Sequence, residues 1–357
     1  MRSGLAFYRS DAGGTYSGFF LLRAPRFAII LTMNFVILAG GVGERLWPLG
    51  TTEKPKQFHA LVGAEPLVAQ AVRRVEKAGG DIFFSTSERY VPLLKELFPH
   101  ISDDHYLIEP ARRDTGPAMA YAASRLMERA PDEPMAFIPS DHVIHDEQWF
   151  ARMLRVAEQI IREQGVMVDV GVPAKFPSTV LGYTHVGKKL EARDGIDVYE
   201  FLGHTEKPNR ATAEKYLASG EYLWHANYYM WTPRKIMAAV EKHAPDLLAG
   251  TQKISFDYAI TEHMDPQDVR ILKGDGWSDV GAWDVLYDEL AKTPGENVTR
   301  GEVTALDCEG SLVFAQGGRK VGVIGLKDMV VVDTPDGLLV CPKNRAQDVK
   351  RLVTDMK

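Results

Sequence analysis

Residues 38–58 read Leu-Ala-Gly-Gly-Val-Gly-Glu-Arg-Leu-Trp-Pro-Leu-Gly-Thr-Thr-Glu-Lys-Pro-Lys-Gln-Phe. Gly40, Gly41 and Gly43 follow directly on the apolar run Phe35–Ala39. Without side chains there, backbone N–H groups can approach a phosphate or a base closely. Arg45 and Lys54 come next, and two cations beside such a loop can flank a triphosphate and neutralise charge on a departing pyrophosphate. Two familiar loops do not fit. Leu46 stands where a dinucleotide fingerprint needs its third glycine, and no Gly-Lys-Ser/Thr follows. A strand-to-helix turn with two solvated cations is the bland reading, but Arg45, Pro48, Lys54 and Pro55 at these spacings favour a nucleotide loop.

Two carboxylates supply a second requirement. Asp141 lies in Ile-Pro-Ser-Asp-His-Val-Ile and Asp279 in Gly-Trp-Ser-Asp-Val-Gly-Ala-Trp. Nucleotidyl transfer uses Mg²⁺ bridging phosphate oxygens, held by one or two carboxylates. Alone, each aspartate reads as a cap or an Asx turn. Beside the glycine loop they read as metal ligands. His142 is assigned to phosphate contact or loop fixing, because Mg²⁺ prefers oxygen.

These groups need a scaffold. Phe35–Ala39, Asp81–Thr86, Met135–Ile138 and Val166–Val172 are short apolar runs that predict buried parallel strands. Between them, residues 66–78, Tyr90–Phe98, Pro117–Ala130 and Trp149–Glu163 have helical spacing, and Pro117 sits in a first turn. Alternating strands and helices predict a Rossmann-like, mainly parallel sheet covered on both faces. Ligands of such sheets bind at the carboxyl ends of the strands, where the Gly40 and Asp141 loops both fall. From residue 291 to 357 the texture changes to short apolar runs split by glycines, which predicts a small β module, a sheet or a short solenoid. The expected domains are therefore 33–290 and 291–357, preceded by an extension over 1–32 that packs poorly.

The loop resembles the signature of the sugar-phosphate nucleotidyltransferases. Arg-Leu-Trp-Pro-Leu and Lys-Pro-Lys-Gln-Phe resemble most the bacterial mannose-1-phosphate guanylyltransferases, and matching motifs continue in order from Asn34 to the C-terminus. The resemblance implies the nucleotide-diphospho-sugar transferase fold and GMP transfer from GTP to mannose 1-phosphate, with Mg²⁺ on Asp141 and Asp279. It implies that Leu38, Ala39, Gly40, Gly41, Gly43, Glu44, Arg45, Lys54, Ser140 and Asp141 meet the nucleotide, with Glu109, Thr115 and Pro117 under base and ribose. Gly182, Tyr183, Glu206, Lys207, His225 and Asn227 fall to the sugar phosphate, Lys207 holding its phosphate and Glu206 a hydroxyl. Asp257 either orients this site from behind or caps a helix. Arg45, Lys54, Asp141, Lys207 and Asp279 form the implied catalytic set. The family's C-terminal module is β-helix-like and aids dimer contacts, so a homodimer is expected. The chain ends before the isomerase-type domain of longer relatives, so isomerase activity is not expected.

The chain departs from the family where asparagine is usual at Asp114, alanine at Gly116, asparagine at His225 and glycine at Asn227. A polar pocket discriminates by the groups it leaves unpaired, so these departures bear on the sugar. Another base or sugar 1-phosphate is one alternative, and a catalytically silent regulatory sugar-nucleotide binder is another. A glycosyltransferase reading fails because Ser140-Asp141-His142 is not Asp-x-Asp.

Bulk properties agree. The chain has 357 residues and a formal net charge of −6, which argues against a general nucleic-acid binder. No stretch has the uninterrupted apolar length of a membrane span. Residues 19–33 faintly resemble a signal sequence, but Arg23, Pro25 and Arg26 interrupt it; the expected location is the cytoplasm. Cys308 and Cys341 read as reduced, partly buried thiols.

Overall fold

β1 (Asn34–Leu38), β2 (Ile82–Thr86), β3 (Tyr106–Ile108) and β4 (Met135–Pro139) pair in parallel around β1. The computed structural model describes residues 33–249 and 252–356, all within the unit Leu31–Lys357; the expected extension 1–32 lies outside the described residues. β2 and β4 are buried at every position. Runs without polar alternation suit strands covered on both faces.

Helices α1 (Leu67–Glu76), α2 (Val91–Leu97), α3 (Thr115–Met127) and α4 (Glu147–Gln164) provide cover. α4 shows how the sequence sets its bounds. The Asp146 side chain accepts from Trp149 N–H at 2.8 Å, and Gly165 closes the helix in the left-handed conformation, φ 66°. Between these caps, Phe150, Met153, Leu154, Ala157, Ile160 and Ile161 form the buried stripe.

β5 (Val143–Ile144) follows β4. β6 (Met167–Pro173), β7 (Tyr183–Arg193), β8 (Ile196–Thr205), β9 (Tyr222–His225), β10 (Met230–Trp231) and β11 (Val269–Lys273) extend the main sheet. Its order is β11-β8-β7-β9-β6-β10-β4-β1-β2-β3. The half around β1 is parallel. Beyond β4 the pairings are antiparallel except β6–β11. β12 (Trp277–Ser278) pairs antiparallel with β5, Ser278 opposite Val143. That register returns the Asp279 loop to the Asp141 loop.

The C-terminal strands are β13 (Val298–Arg300), β14 (Val303–Leu306), β15 (Leu312–Ala315), β16 (Val321–Ile324), β17 (Met329–Thr334) and β18 (Gly337–Pro342). β13, β15 and β17 stack in parallel, as do β14 and β16, and β18 closes as a hairpin. Leu312, Phe314, Val330 and Val332 share one core with Leu46, Leu49, Trp283 and Val349. The module is thereby packed onto the segment that follows the glycine loop. Cys308 and Cys341 are free thiols of intermediate burial. Among the described residues, no helix is long and apolar enough to cross a membrane.

Candidate active site

The glycine loop leaves β1 at its carboxyl end. Ala39 N–H donates to the Ser85 carbonyl at 2.8 Å, and Ser140 Oγ donates to the Leu38 carbonyl at 2.6 Å. Gln57 Nε2 donates to the carbonyls of Ala39 and Gly41 at 3.1 and 2.9 Å. This glutamine, not singled out from sequence, ties down the backbone of the loop.

Lys56 is the second residue that sequence reasoning missed. The Lys56–Phe58 turn faces inward and all three residues are buried. Lys56 Nζ lies 2.9 Å from Asp141 Oδ2 and donates to the carbonyls of Asp279 and Val280 at 3.3 and 3.4 Å. Gly43 makes room: a Cβ there would sit 2.6 Å from Lys56 Cγ, and its φ is 74°. Lys54 is exposed, and its backbone N–H donates to Thr51 Oγ1. Of the two lysines, the turn thus points only Lys56 at the Asp141 carboxylate and the Asp279–Val280 carbonyls.

Arg45 approaches from the other side. A Cβ on Gly281 would lie 2.7 Å from Asp279 Oδ2 and 3.2 Å from Arg45 Nη2, so that glycine separates the two groups. Arg45 Nη1 donates to Gln347 Oε1 at 3.1 Å, and Gln347 Nε2 donates to Asp284. Gln347 belongs to the C-terminal module, where no catalytic motif was legible. Val280, a β-branched residue beside Asp279, has φ 40° and is fully buried. Such a conformation is costly and clusters at functional sites.

Burial raises the Asp141 carboxyl, but Lys56 and His142 outweigh it and leave its pKa lowered. His142 accepts from Trp277 Nε1 at 3.1 Å through Nδ1 and its carbonyl accepts from Arg74. Burial, only partly opposed by Asp141 and Asp279, pulls its pKa from 6.5 down to about 4. Between these values the unfolded chain binds more protons than the folded one, so stability rises with pH across that window. Acidification from neutrality to pH 4 is expected to remove about 3 kcal/mol through this group. Denaturant midpoints against pH check it: His142→Asn should flatten the slope within the window.

Among the residues expected at the nucleotide, Ser85 Oγ donates to Glu109 Oε1 at 3.0 Å, and a Cβ on Gly40 would lie 2.9 Å from that oxygen. Burial raises the Glu109 carboxyl against the Ser85 hydrogen bond and the Arg112 charge. Thr115 Oγ1 accepts from Phe256 N–H at 3.0 Å, and Pro117 is buried in the first turn of α3. Asp114, φ 71°, caps that helix through Oδ1. An alanine at 116 would place Cβ 2.7 Å from the Ile254 carbonyl, which accounts for Gly116 in this chain.

Among the residues expected at the sugar phosphate, Glu206 is buried and ion-paired with the exposed Lys207. Lys207 has φ 48°; its ammonium pKa is raised because Glu206 outweighs burial. Asn227 has φ 56°, the left-handed region that asparagine and aspartate tolerate better than other non-glycine residues. That suits asparagine to a position where glycine is usual in the family this chain resembles. Gly182 lies against Glu206 and His204. Tyr183 departs from expectation: it is fully buried and its hydroxyl donates to the Ser178 carbonyl at 3.1 Å. His225 likewise turns inward, 1% exposed, toward Asp169 and Asp257. Asp257 does not cap its helix, a role taken by Ser255, whose side chain accepts from Tyr258 N–H.

Residues 34–295 match the family model described as nucleotidyl transferase, and residues 301–356 match the MannoseP isomerase/GMP-like beta-helix domain. Alginate biosynthesis protein AlgA of Pseudomonas aeruginosa is 34% identical, over 90% of this chain and 71% of that protein. The mannose-1-phosphate guanylyltransferase of Escherichia coli K12 is 32% identical, over 90% of this chain and 73% of that one. A crystal structure from Thermus thermophilus, described as a mannose-1-phosphate geranyltransferase, matches with TM-score 0.80 at 27% identity, over 91% of this chain and 99% of that one. The chain belongs to the nucleotidyl transferase family, in the branch of the mannose-1-phosphate guanylyltransferases.

Proposed function

We propose that this protein transfers GMP from GTP to mannose 1-phosphate, giving GDP-mannose and pyrophosphate. The observation that carries the reading is Lys56, held between the Asp141 carboxylate and the Asp279–Val280 carbonyls at the mouth of a glycine loop.

The sugar phosphate oxygen attacks the α-phosphorus in line and pyrophosphate leaves. The nucleophile is already anionic, so no protein base is needed; the protein aligns reactants and offsets charge. Arg45 and Lys56 face the triphosphate. Lys207 holds the acceptor phosphate, and Glu206 accepts from a sugar hydroxyl. Asp141 and Asp279 offer hard carboxylate oxygens, a donor set that fits Mg²⁺. When bound, Mg²⁺ supplies Lewis-acid neutralisation of phosphate oxygens.

Guanine is favoured by Glu109. Its carboxylate next to Gly40 offers two acceptors, which match the N1–H and amino group of guanine. Glu109→Gln is expected to lower kcat/KM for GTP by about tenfold, the loss of a charge-assisted hydrogen bond, with kcat for bound substrate less affected. Initial rates against GTP concentration check this.

The protein acts as a homodimer through its β module, in the cytoplasm, where GTP is supplied. Light scattering at micromolar concentration should give twice the chain mass, and a monomer alone contradicts the dimer. The reaction itself is tested by mass spectrometry after incubation with GTP, mannose 1-phosphate and Mg²⁺. GDP-mannose is the expected product. Folded protein that binds GTP yet forms no nucleotide sugar contradicts the proposal.

A further inference from the structure

Below the sugar side, side chains from β6, β8, β9 and the 256–259 helix converge in the interior. The side chains of His204 and Asp169 are fully buried, His225 is 1% exposed and Asp257 5%. His225 Nδ1 lies 3.1 Å and His204 Nε2 3.5 Å from the same oxygen, Asp257 Oδ1. The two rings are 4.9 Å apart and steeply inclined, at 77°. Neither His204 Nε2 nor either ring nitrogen of His225 makes a hydrogen bond, nor does Asp169 Oδ2, while Asp257 Oδ1 accepts from the Tyr229 hydroxyl. The outward nitrogens face polar partners: His225 Nε2 lies 2.8 Å from Asp169 Oδ2, and His204 Nδ1 lies 3.3 Å from Thr184 Oγ1.

We propose that His204, His225 and Asp257 bind a transition-metal dication, zinc by the chemistry of the donor set. Two imidazole nitrogens and a carboxylate oxygen are zinc ligands, and bonds of about 2.0–2.1 Å in a tetrahedron separate its donors by about 3.3 Å. The separations of 3.1 and 3.5 Å bracket that edge. Metal-bound imidazoles direct their other nitrogen at a carboxylate or hydroxyl, which fixes ring and tautomer; Asp169 and Thr184 stand in those places. Charge also balances, since a dication with neutral imidazoles offsets Asp169 and Asp257. The rival arrangement is a protonated His225 clamped between Asp169 and Asp257. It leaves His204 Nε2 buried without a hydrogen bond, 3.5 Å from Asp257 Oδ1 and 3.6 Å from Glu206 Oε2, and an unmade hydrogen bond is unfavourable for any buried polar group.

Glu206 stands beside the three proposed ligands, its Oε2 3.6 Å from His204 Nε2. Gly182 closes over it: a Cβ there would lie 2.5 Å from Glu206 Oε2 and 2.9 Å from His204 Nε2. The ion thus stiffens the floor on which the Glu206–Lys207 pair rests, at the position where the resembling family has asparagine instead of His225. This site is separate from Asp141 and Asp279 and does not depend on which sugar is taken.

The test uses the full chain without a polyhistidine tag, loaded with Zn²⁺, dialysed against excess Mg²⁺ and analysed by plasma mass spectrometry. One zinc per chain is expected, retained in Asp279→Asn and lost in His204→Gln and His225→Asn. Wild-type protein loaded with Co²⁺ should show the intense visible bands of tetrahedral cobalt. Wild-type protein that retains no zinc, or zinc retained equally by both histidine variants, overturns the proposal. Should either variant fail to fold, the wild-type cobalt spectrum decides, and absence of tetrahedral bands overturns it.

Discussion

Lys56→Ala lowers kcat by about 10²–10³-fold, the cost of removing one preorganised donor from a site of developing charge, whereas Lys54→Ala leaves turnover within a few-fold of wild type. The two lysines flank one proline and differ only in direction. Lys56 is buried, with Nζ 2.9 Å from Asp141 Oδ2 and within reach of the Asp279 and Val280 carbonyls. Lys54 is exposed. Lys56 also holds together two loops that each bring a carboxylate, so its removal leaves Asp141 partly buried without its cation. A moderate fall in melting temperature is therefore expected beside the kinetic loss. Steady-state rates on protein shown to be folded check both variants. Equal, severe losses in the two would contradict the assignment.

Arg45→Ala is expected to lower kcat by a similar factor, about 10²–10³-fold, with little change in stability because the side chain is only half-buried. The C-terminal module enters here. Gln347 Oε1 accepts from Arg45 Nη1 at 3.1 Å, and Gln347 is itself tied to Asp284. Gln347→Ala leaves the guanidinium in place but free to rotate. Since small misplacements of a reacting group cost up to about 10²-fold, a loss of roughly tenfold in kcat is expected, with KM nearly unchanged. Rates of the two single variants and the double variant separate the effects. If Gln347 acts through Arg45, the double variant is no slower than Arg45→Ala. Multiplying losses would show that Gln347 acts on its own.

Much of the scaffold was legible because its signals are local. Phe35–Ala39 and Met135–Ile138 are apolar runs too short for helices, and both are strands ending at the loops that carry Gly40 and Asp141. The pairing of Asp141 with Asp279 was legible only as a chemical need; the β5–β12 register supplies the geometry. Lys56 was hidden because Lys54 and Lys56 are equivalent in composition. The inward turn over Lys56–Phe58 and the space left by Gly43 distinguish them. Gln347 is 302 residues from Arg45 along the chain, a contact no local pattern announces.

The departures at Gly116 and Asn227 have backbone explanations. A Cβ at 116 meets the Ile254 carbonyl, and asparagine suits the left-handed φ at 227. His225 differs in kind. It was read as a sugar contact, but its partners Asp169, His204 and Asp257 arrive on separate elements and draw it into the interior. Burial of that order is a property of the assembled sheet, and residue type alone does not reveal it.

The most direct test of the account is the rate of pyrophosphate release with Mg²⁺, comparing GTP, dTTP, ATP and UTP, each with mannose 1-phosphate and with glucose 1-phosphate. The account predicts rapid release from GTP with mannose 1-phosphate and none from GTP alone. Release confined to another base or sugar, or no release from folded protein with any pair, would contradict it.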